Sequence, residues 1–345
     1  MKKLVLLCLL IPWLVIAGCT GSGGGPTEPT VDPVVGVWYF AGDGVSTGDQ
    51  ILQIRADGSW VSGQVVPGYT GCATVMGTWA AVAGGGYSIS SYQTEGTTSI
   101  PWTFTGVLDA AKTQFRVTGM AGTQPVDQTF SKQAAPASDP VVGLWVLSAP
   151  VGNLTAQVLS VSADGSWVVG QISDAGSGNY LSYTIVGTWM KSGSDYTITA
   201  YQSPTAQVMA GVLSGGGNTF TVGGTYAFTR RASPAADASA GLWVLSTVSN
   251  APSQGYPVAG MLSVNPDGSW VVGQIQYNGA ATYSTSAVMG TWTNNGGGSY
   301  TISVYQAEGA GTGQPFDVTG TISGSSFTLA VPMPPNPDML VEYAR

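Results

Sequence analysis

Gly36-Val37-Trp38, Gly143-Leu144-Trp145 and Gly241-Leu242-Trp243 open the same block three times. Some two dozen residues later comes Asp-Gly-Ser-Trp, ending at Trp60, Trp167 and Trp270. Gly-Thr-Trp follows, ending at Trp79, Trp189 and Trp292, and then a Tyr-x-Ile segment at Tyr87, Tyr196 and Tyr300. The repeat is roughly 100 residues, a domain length rather than a solenoid unit. One fold is therefore used three times. The expected division is 32–135, 136–235 and 236–345, with joints at 134–139 and 232–240, where Ala, Ser, Pro and Asp cluster.

Each repeat reads as all-β. In the second, candidate strands cover 144–148, 158–162, 166–172, 181–189, 196–201, 208–213, 219–222 and 226–230. They are rich in Val, Thr and aromatic residues, and Gly, Asn, Asp or Ser clusters separate them. Beyond the N-terminus nothing has a helical period. Asp57-Gly58, Asp164-Gly165 and Asp267-Gly268 lie between strand runs and signal hairpins, because Gly and Asp tolerate positive φ. As calcium ligands these aspartates lack the spaced oxygen donors of a calcium loop. Eight strands joined in sequence form an up-and-down antiparallel meander, and closing it into a barrel removes both edges.

The first and last strands carry a further pattern. Gly-x-Trp starts each repeat, and Phe130-Ser131-Lys132, Phe228-Thr229-Arg230 and Tyr343-Ala344-Arg345 finish it. This resembles the lipocalin-like small barrels of the calycin group. The resemblance implies that each cation lies over the first-strand indole and plugs one end of its barrel. The pairs Trp38/Lys132, Trp145/Arg230 and Trp243/Arg345 are 94, 85 and 102 residues apart, so only barrel closure would unite them. Several strands, such as Leu144-Trp145-Val146-Leu147 and Trp167-Val168-Val169, are apolar on both faces. Val146 and Val168, or their equivalents Val244 and Val271, are therefore expected to contact a neighbouring repeat or a crossing loop.

The N-terminus reads as an address. Lys2 and Lys3 precede an apolar run from Leu4 to Ala17, too short for a spanning helix but suited to a secretion signal over residues 1–18. Its end, Ile16-Ala17-Gly18-Cys19, resembles the lipobox of bacterial lipoproteins, which implies that Cys19 is acylated and becomes the first mature residue. An ordinary cleaved signal with an incidental cysteine is the other reading. Thr20 rather than Asp follows the cysteine, and under the enterobacterial sorting rule this implies the outer membrane, at its periplasmic face or the cell surface. Residues 19–31 form a Gly/Ser/Thr/Pro tether.

Composition narrows the partners. Charged residues are 8% and Gly is 50 of 345, while hydrophobic residues reach 43%. The chain is too hydrophobic for disorder. Loss of residues 1–18 lowers the formal charge from −8 to −10, and an acidic body has no electrostatic footprint for nucleic acid. Cys72 is then the single cysteine besides Cys19, so no intrachain disulfide is expected.

Candidate binding residues come from the mouth and from polar positions within strands. Loops after the first strand (42–49, 149–156, 247–259) and after the fifth (94–101, 203–206, 307–315) differ among repeats, whereas those at the other end are alike. Variation confined to one end marks a ligand mouth; neutral drift is the plain alternative. Gln64, Gln171 and Gln274 recur in Gly-Gln, and Tyr92/Gln93, Tyr201/Gln202 and Tyr305/Gln306 recur as Tyr-Gln. The structural use of such amides is to satisfy neighbouring backbone groups. The binding use is to orient a polar ligand with the tyrosine stacked beside it. The nine repeated tryptophans read as core. Trp102, outside the repeat, reads as an exposed stacking residue.

Enzymatic chemistry has little to work with. There is no histidine, hence no usual general base or metal ligand, and Cys72 lacks an activating partner. Glu95 and Glu308 belong to separate repeats and cannot act as a pair on one bond. No cofactor motif is present. Three classes remain: a non-enzymatic lipid-anchored protein taking a glycan or small apolar ligand through its barrel mouths, a structural envelope lipoprotein with filled barrels that contacts other envelope proteins, and a membrane-embedded β-protein. Strands of 5–7 residues place the last class behind the others, since a bilayer needs about 9–11.

Overall fold

A computed structural model describes residues 31–45, 47–69, 71–94, 96–306 and 313–345. The expected signal, most of the expected tether, Cys19, Glu95 and Glu308 lie outside the described residues. Three closed antiparallel barrels of eight strands each follow one another along the chain. The first runs from β1 (Gly36–Phe40) to β8 (Gln124–Lys132), the second from β9 (Gly143–Leu147) to β16 (Tyr226–Arg231), and the third from β17 (Gly241–Ser249) to β24 (Met339–Ala344). Each strand pairs with the next and the last returns to the first. Trp38 stands opposite Lys132, Trp145 opposite Arg230, and Leu245 opposite Tyr343.

Local chemistry sets the turns. Gly58, Gly165 and Gly268 have φ of 93°, 94° and 96°, a region that costs other residues steric energy. The preceding aspartate locks the turn. Asp57 Oδ1 accepts from the Ser59 amide at 2.9 Å and its hydroxyl at 2.7 Å, and Asp164–Ser166 and Asp267–Ser269 repeat this geometry.

Strand length departs from the sequence expectation. β11 (Ser166–Gly176) and β12 (Asn179–Ser192) have 11 and 14 residues, and β19 (Ser269–Gly279) and β20 (Thr282–Gly296) have 11 and 15. Polar residues such as Asp174 and Asn278 hide the alternation in sequence, yet the ladder continues through Asp174↔Tyr180 and Tyr277↔Tyr283. Backbone pairing does not need apolar side chains.

Each barrel has its own core. In the second, Trp145, Leu159, Trp167, Ile185, Trp189, Ile198, Phe220 and Phe228 form one buried cluster inside the barrel. A fourth cluster lies outside all three barrels. It joins Val37, Ile51, Val61, Met76 and Tyr92 of the first, Leu144, Val158, Val168, Val186 and Tyr201 of the second, and Met261, Val271, Met289 and Tyr305 of the third. The apolar outer faces of the early strands thus meet one another, and Asp32–Arg345 is one compact unit. Val168 and Val271 are each 1% exposed within this cluster, and Val146 packs against it. Val244 does not: it is 41% exposed. A single apolar side chain at the surface is common, and two apolar faces in a sequence do not guarantee cover for every residue.

The seams repeat in a cycle. Gln53 of the first barrel donates to Asp164 of the second at 3.0 Å, Ser160 of the second donates to Asp267 of the third at 2.6 Å, and Ser263 of the third donates to Asp57 of the first at 2.7 Å. The three aspartates meet at one end of the molecule beside Arg55, whose pKa burial pushes down and these carboxylates push back up. At the other end, Gly71 bridges Ser203, and the Tyr283 amide donates to the Gly96 carbonyl at 2.9 Å. Loops of neighbouring barrels therefore meet at both ends, and all three mouths open on the same side.

Candidate functional site

The end of each barrel near the aspartates is closed. Lys132 Nζ lies 5.0 Å from the Trp38 ring centroid, and the guanidinium carbons of Arg230 and Arg345 lie 4.2 Å and 4.1 Å from those of Trp145 and Trp243. A cation over an indole face is attracted by the ring quadrupole. A second repeated device sits beside it. Asp32, Asp139 and Asp237 accept the hydroxyls of Tyr87, Tyr196 and Tyr300 at 2.8, 2.6 and 2.8 Å. The same aspartates cap the Val34, Val141 and Ser239 amides, whose carbonyls accept the indole N–H of Trp38, Trp145 and Trp243 at 2.7 to 2.8 Å. Burial and the Asp32 carboxylate push Tyr87 up to about 12, and burial with Asp237 does the same to Tyr300. Burial pushes the Asp139 carboxyl up, but hydrogen bonds from Lys191, Tyr196 and the Val141 amide outweigh it and hold the group below its ordinary range. Sequence reasoning missed this latch, although an Asp four residues before each Gly-x-Trp was there to be read.

The opposite ends are mouths leading into cavities. Their volumes are about 250 Å³ in the first barrel, about 350 Å³ in the second and about 130 Å³ in the third. The floor is apolar in each: Trp60, Trp167 or Trp270 with neighbouring Val, Leu and Ile. Gln64, Gln171 and Gln274 line the three cavities, as do Gln93, Gln202 and Gln306. In the second barrel Gln157 Nε2 donates to Gln171 Oε1 at 2.9 Å. Gln207 adds a further amide, and Tyr183 and Tyr226 add aromatic faces. In the third, Gly260 replaces the first glutamine of that pair, opposite Gln274. Phe316, Met339 and Tyr343 take up much of its space.

The tyrosines of the Tyr-Gln pairs are elsewhere. Tyr92, Tyr201 and Tyr305 are 6%, 8% and 8% exposed and belong to the inter-barrel cluster. Adjacent residues in an extended chain face opposite sides, so a glutamine pointing into the lumen sends its tyrosine out of it. The stacking role expected for these three tyrosines is corrected accordingly. Trp102 is also not the exposed residue expected: it is half-buried and lines the first cavity. Eight of the nine repeated tryptophans are buried and Trp79 is partly buried. Residues that the sequence reading overlooked include Gln50, Phe104, Gln128, Gln207 and Tyr226, all inward by strand alternation.

Cys72 is a free, half-buried thiol that burial pushes up to about 11. Its nearest polar contact is Gln202 Oε1 at 3.8 Å. Among the described residues no group of His, Cys, Asp or Glu is arranged to hold a metal ion.

No protein-family model matches this chain, and no curated protein sequence does. Among solved structures, a mutant of the vaccine antigen transferrin-binding protein B from Haemophilus parasuis Hp5 aligns over 86% of this chain, at 10% identity and a TM-score of 0.19. The aligned part spans 65% of that protein's chain. A protein of unknown function from the DUF3598 family of Nostoc punctiforme PCC 73102 aligns over 91% of this chain and 96% of its own, at 8% identity and a TM-score of 0.15. Likeness this slight carries no argument about function. The chain is defined by its own geometry: three fused eight-stranded barrels, each plugged at one end and open at the other.

Proposed function

We propose that this is a non-enzymatic, lipid-anchored envelope protein that takes small neutral ligands through its barrel mouths, chiefly the second. The observation that carries the reading is the second cavity. Its volume of about 350 Å³ lies within the range of small-molecule sites, and it pairs an apolar floor with a few convergent amides. Ligands with one apolar body and a few hydrogen-bonding groups suit that arrangement better than a glycan, whose hydroxyls would be left unpaired against the floor. The lipobox-like Ile16-Ala17-Gly18-Cys19 supports attachment to the outer membrane.

The lack of histidine and the raised Cys72 pKa argue against catalysis. A membrane-embedded role fits poorly, because the apolar outer faces of the barrels are turned towards each other rather than spread around the perimeter. A filled structural barrel is the better second reading, and the third barrel, with about 130 Å³ of space, favours it for that repeat.

The test is a fluorescence titration with N-phenyl-1-naphthylamine, a neutral aromatic probe that brightens in apolar sites. Met209→Trp fills the second cavity and Val318→Trp fills the third. Binding that is lost in the first variant and kept in the second supports the reading. Binding unaffected by either, or no binding at all, refutes it.

A further inference from the structure

Nine tryptophans of the described chain hydrogen-bond through the indole N–H to a backbone carbonyl. Trp38, Trp145 and Trp243 bond at the closed ends. Trp60, Trp167 and Trp270 reach Ser90, Thr188 and Thr291. Trp79, Trp189 and Trp292 reach Arg55, Ser162 and Asn265. Trp102 is the exception among the described residues: its Nε1 is buried and has no acceptor. Buried donors are almost always paired, and an orphan calls for an explanation.

The surroundings supply one. Trp102 begins β6 (Trp102–Leu108) at the mouth of the first barrel, opposite Ser91, and lines the cavity of about 250 Å³. The same register position is Gln207 in the second barrel, opposite Ala200, and Phe316 in the third, opposite Val304. All three line their cavities. One position therefore carries a different side chain in each mouth, on a scaffold otherwise repeated.

We propose that the Trp102 N–H is the hydrogen-bond donor of a binding site in the first barrel, and that the ligand there is a small, neutral, ring-bearing compound with a carbonyl oxygen. The proposal rests on the reading that the mouths take ligands and adds a class of ligand to it. Neutrality follows from the lining, which contains no charged side chain. A charged ligand would lose its hydration with nothing to replace it. The ring follows from the aromatic faces of Trp60, Trp102, Phe104 and Phe130 around the space. The acceptor follows from the unpaired indole. Of the side-chain nitrogens and oxygens that line this cavity, the indole nitrogen is the one that is buried without a partner.

The experiment compares 2-acetylnaphthalene with 2-ethylnaphthalene, which has nearly the same shape but no carbonyl. The full chain is labelled with 15N-tryptophan, and the Trp102 indole resonance is identified by its disappearance in Trp102→Phe. Phenylalanine is already accommodated at this position in the third barrel, as Phe316. The ketone is expected to move the Trp102 N–H resonance downfield and to bind about tenfold more tightly than the hydrocarbon, the size of one hydrogen bond. In Trp102→Phe that preference should disappear. If the ketone binds but leaves the Trp102 resonance in place, or if the preference survives in Trp102→Phe, the proposal is wrong while mouth binding stands. If neither compound disturbs an indole of any barrel, the proposal and the mouth reading fall together.

Discussion

Gly273 of the third barrel lies against Met76 of the first so closely that a Cβ on the glycine would come within 2.5 Å of the methionine Cβ. Gly63 approaches Val186 and Gly170 approaches Met289, each at 3.0 Å by the same measure. The three contacts run first to second, second to third and third to first. The glycine of each Gly-Gln pair is thus a point of close approach between neighbouring barrels, and the glutamine beside it lines the cavity. One dipeptide serves both the seam and the cavity. Gly273→Ala should destabilise the protein by roughly 1–3 kcal/mol, the usual cost of overpacking. Gly63→Ala and Gly170→Ala should cost less. Denaturant unfolding of the three variants would measure the order, and equal effects at all three would contradict the tighter third seam.

The closed ends make a second prediction. Arg230 stacks on Trp145 and also donates to the Val142 and Gly217 carbonyls at 2.9 Å, and to the Pro140 carbonyl. Arg230→Ala removes the cation–π contact, the packing of the stem and the donors to those carbonyls. A loss of roughly 1–3 kcal/mol in unfolding free energy is expected. Arg230→Lys keeps the charge without the forked donors, so it should fall between the two.

The tyrosine–aspartate latches make stability depend on pH at both extremes. Tyr87 and Tyr300 titrate near 12 in the folded chain because of burial and their aspartates, and Tyr196 is raised in the same sense. An unfolded tyrosine titrates near 10. A raised folded pKa gives stability that is complete below the unfolded value and is lost as pH climbs from about 10 to about 12. Asp139 and Asp237 are depressed after their hydrogen bonds outweigh burial. Their contribution is present above about 4 and is lost as pH falls through the folded values. Melting temperature followed across both windows should decline at each end. Tyr300→Phe should flatten the alkaline decline, and an unchanged slope would count against the latch.

Cys72 should be a slow nucleophile. Burial pushes its pKa up to about 11, so little thiolate exists near neutrality. Reaction with a disulfide reagent at pH 8 should be much slower in the native chain than after unfolding in guanidinium. Equal rates would show that the thiol is not shielded as described.

Much of the barrel architecture was legible because the chain repeats it. Gly-x-Trp, Asp-Gly-Ser-Trp and the terminal cation gave strand number, turn position and closure, each set by local or pairwise chemistry. The joining of the barrels was less legible. Val168 and Val271 could be read as needing cover, but Val244 reads the same and stays exposed. Which outward residue finds a partner depends on how whole barrels dock, and no strand encodes that alone. The mouths were half legible. Gln64, Gln171 and Gln274 could be picked out as recurrent polar positions, but Tyr92, Tyr201 and Tyr305 looked like their companions and face the other way. Assigning inward residues along the fifth strand from Tyr87 and Ile89 in steps of two would have separated Gln93 from Tyr92. Nothing in sequence marked Trp102 as a donor without an acceptor, since that depends on three-dimensional neighbours.

The central claim is that the second barrel is a hollow site open to small ligands, and the most direct measurement is a crystal structure of the chain soaked with N-phenyl-1-naphthylamine. The account expects the probe inside the second barrel, its rings over Trp167 and its amine near the Gln157–Gln171 pair, with none in the third. A second barrel filled by its own side chains, or a probe lodged only in the seams between barrels, would contradict it.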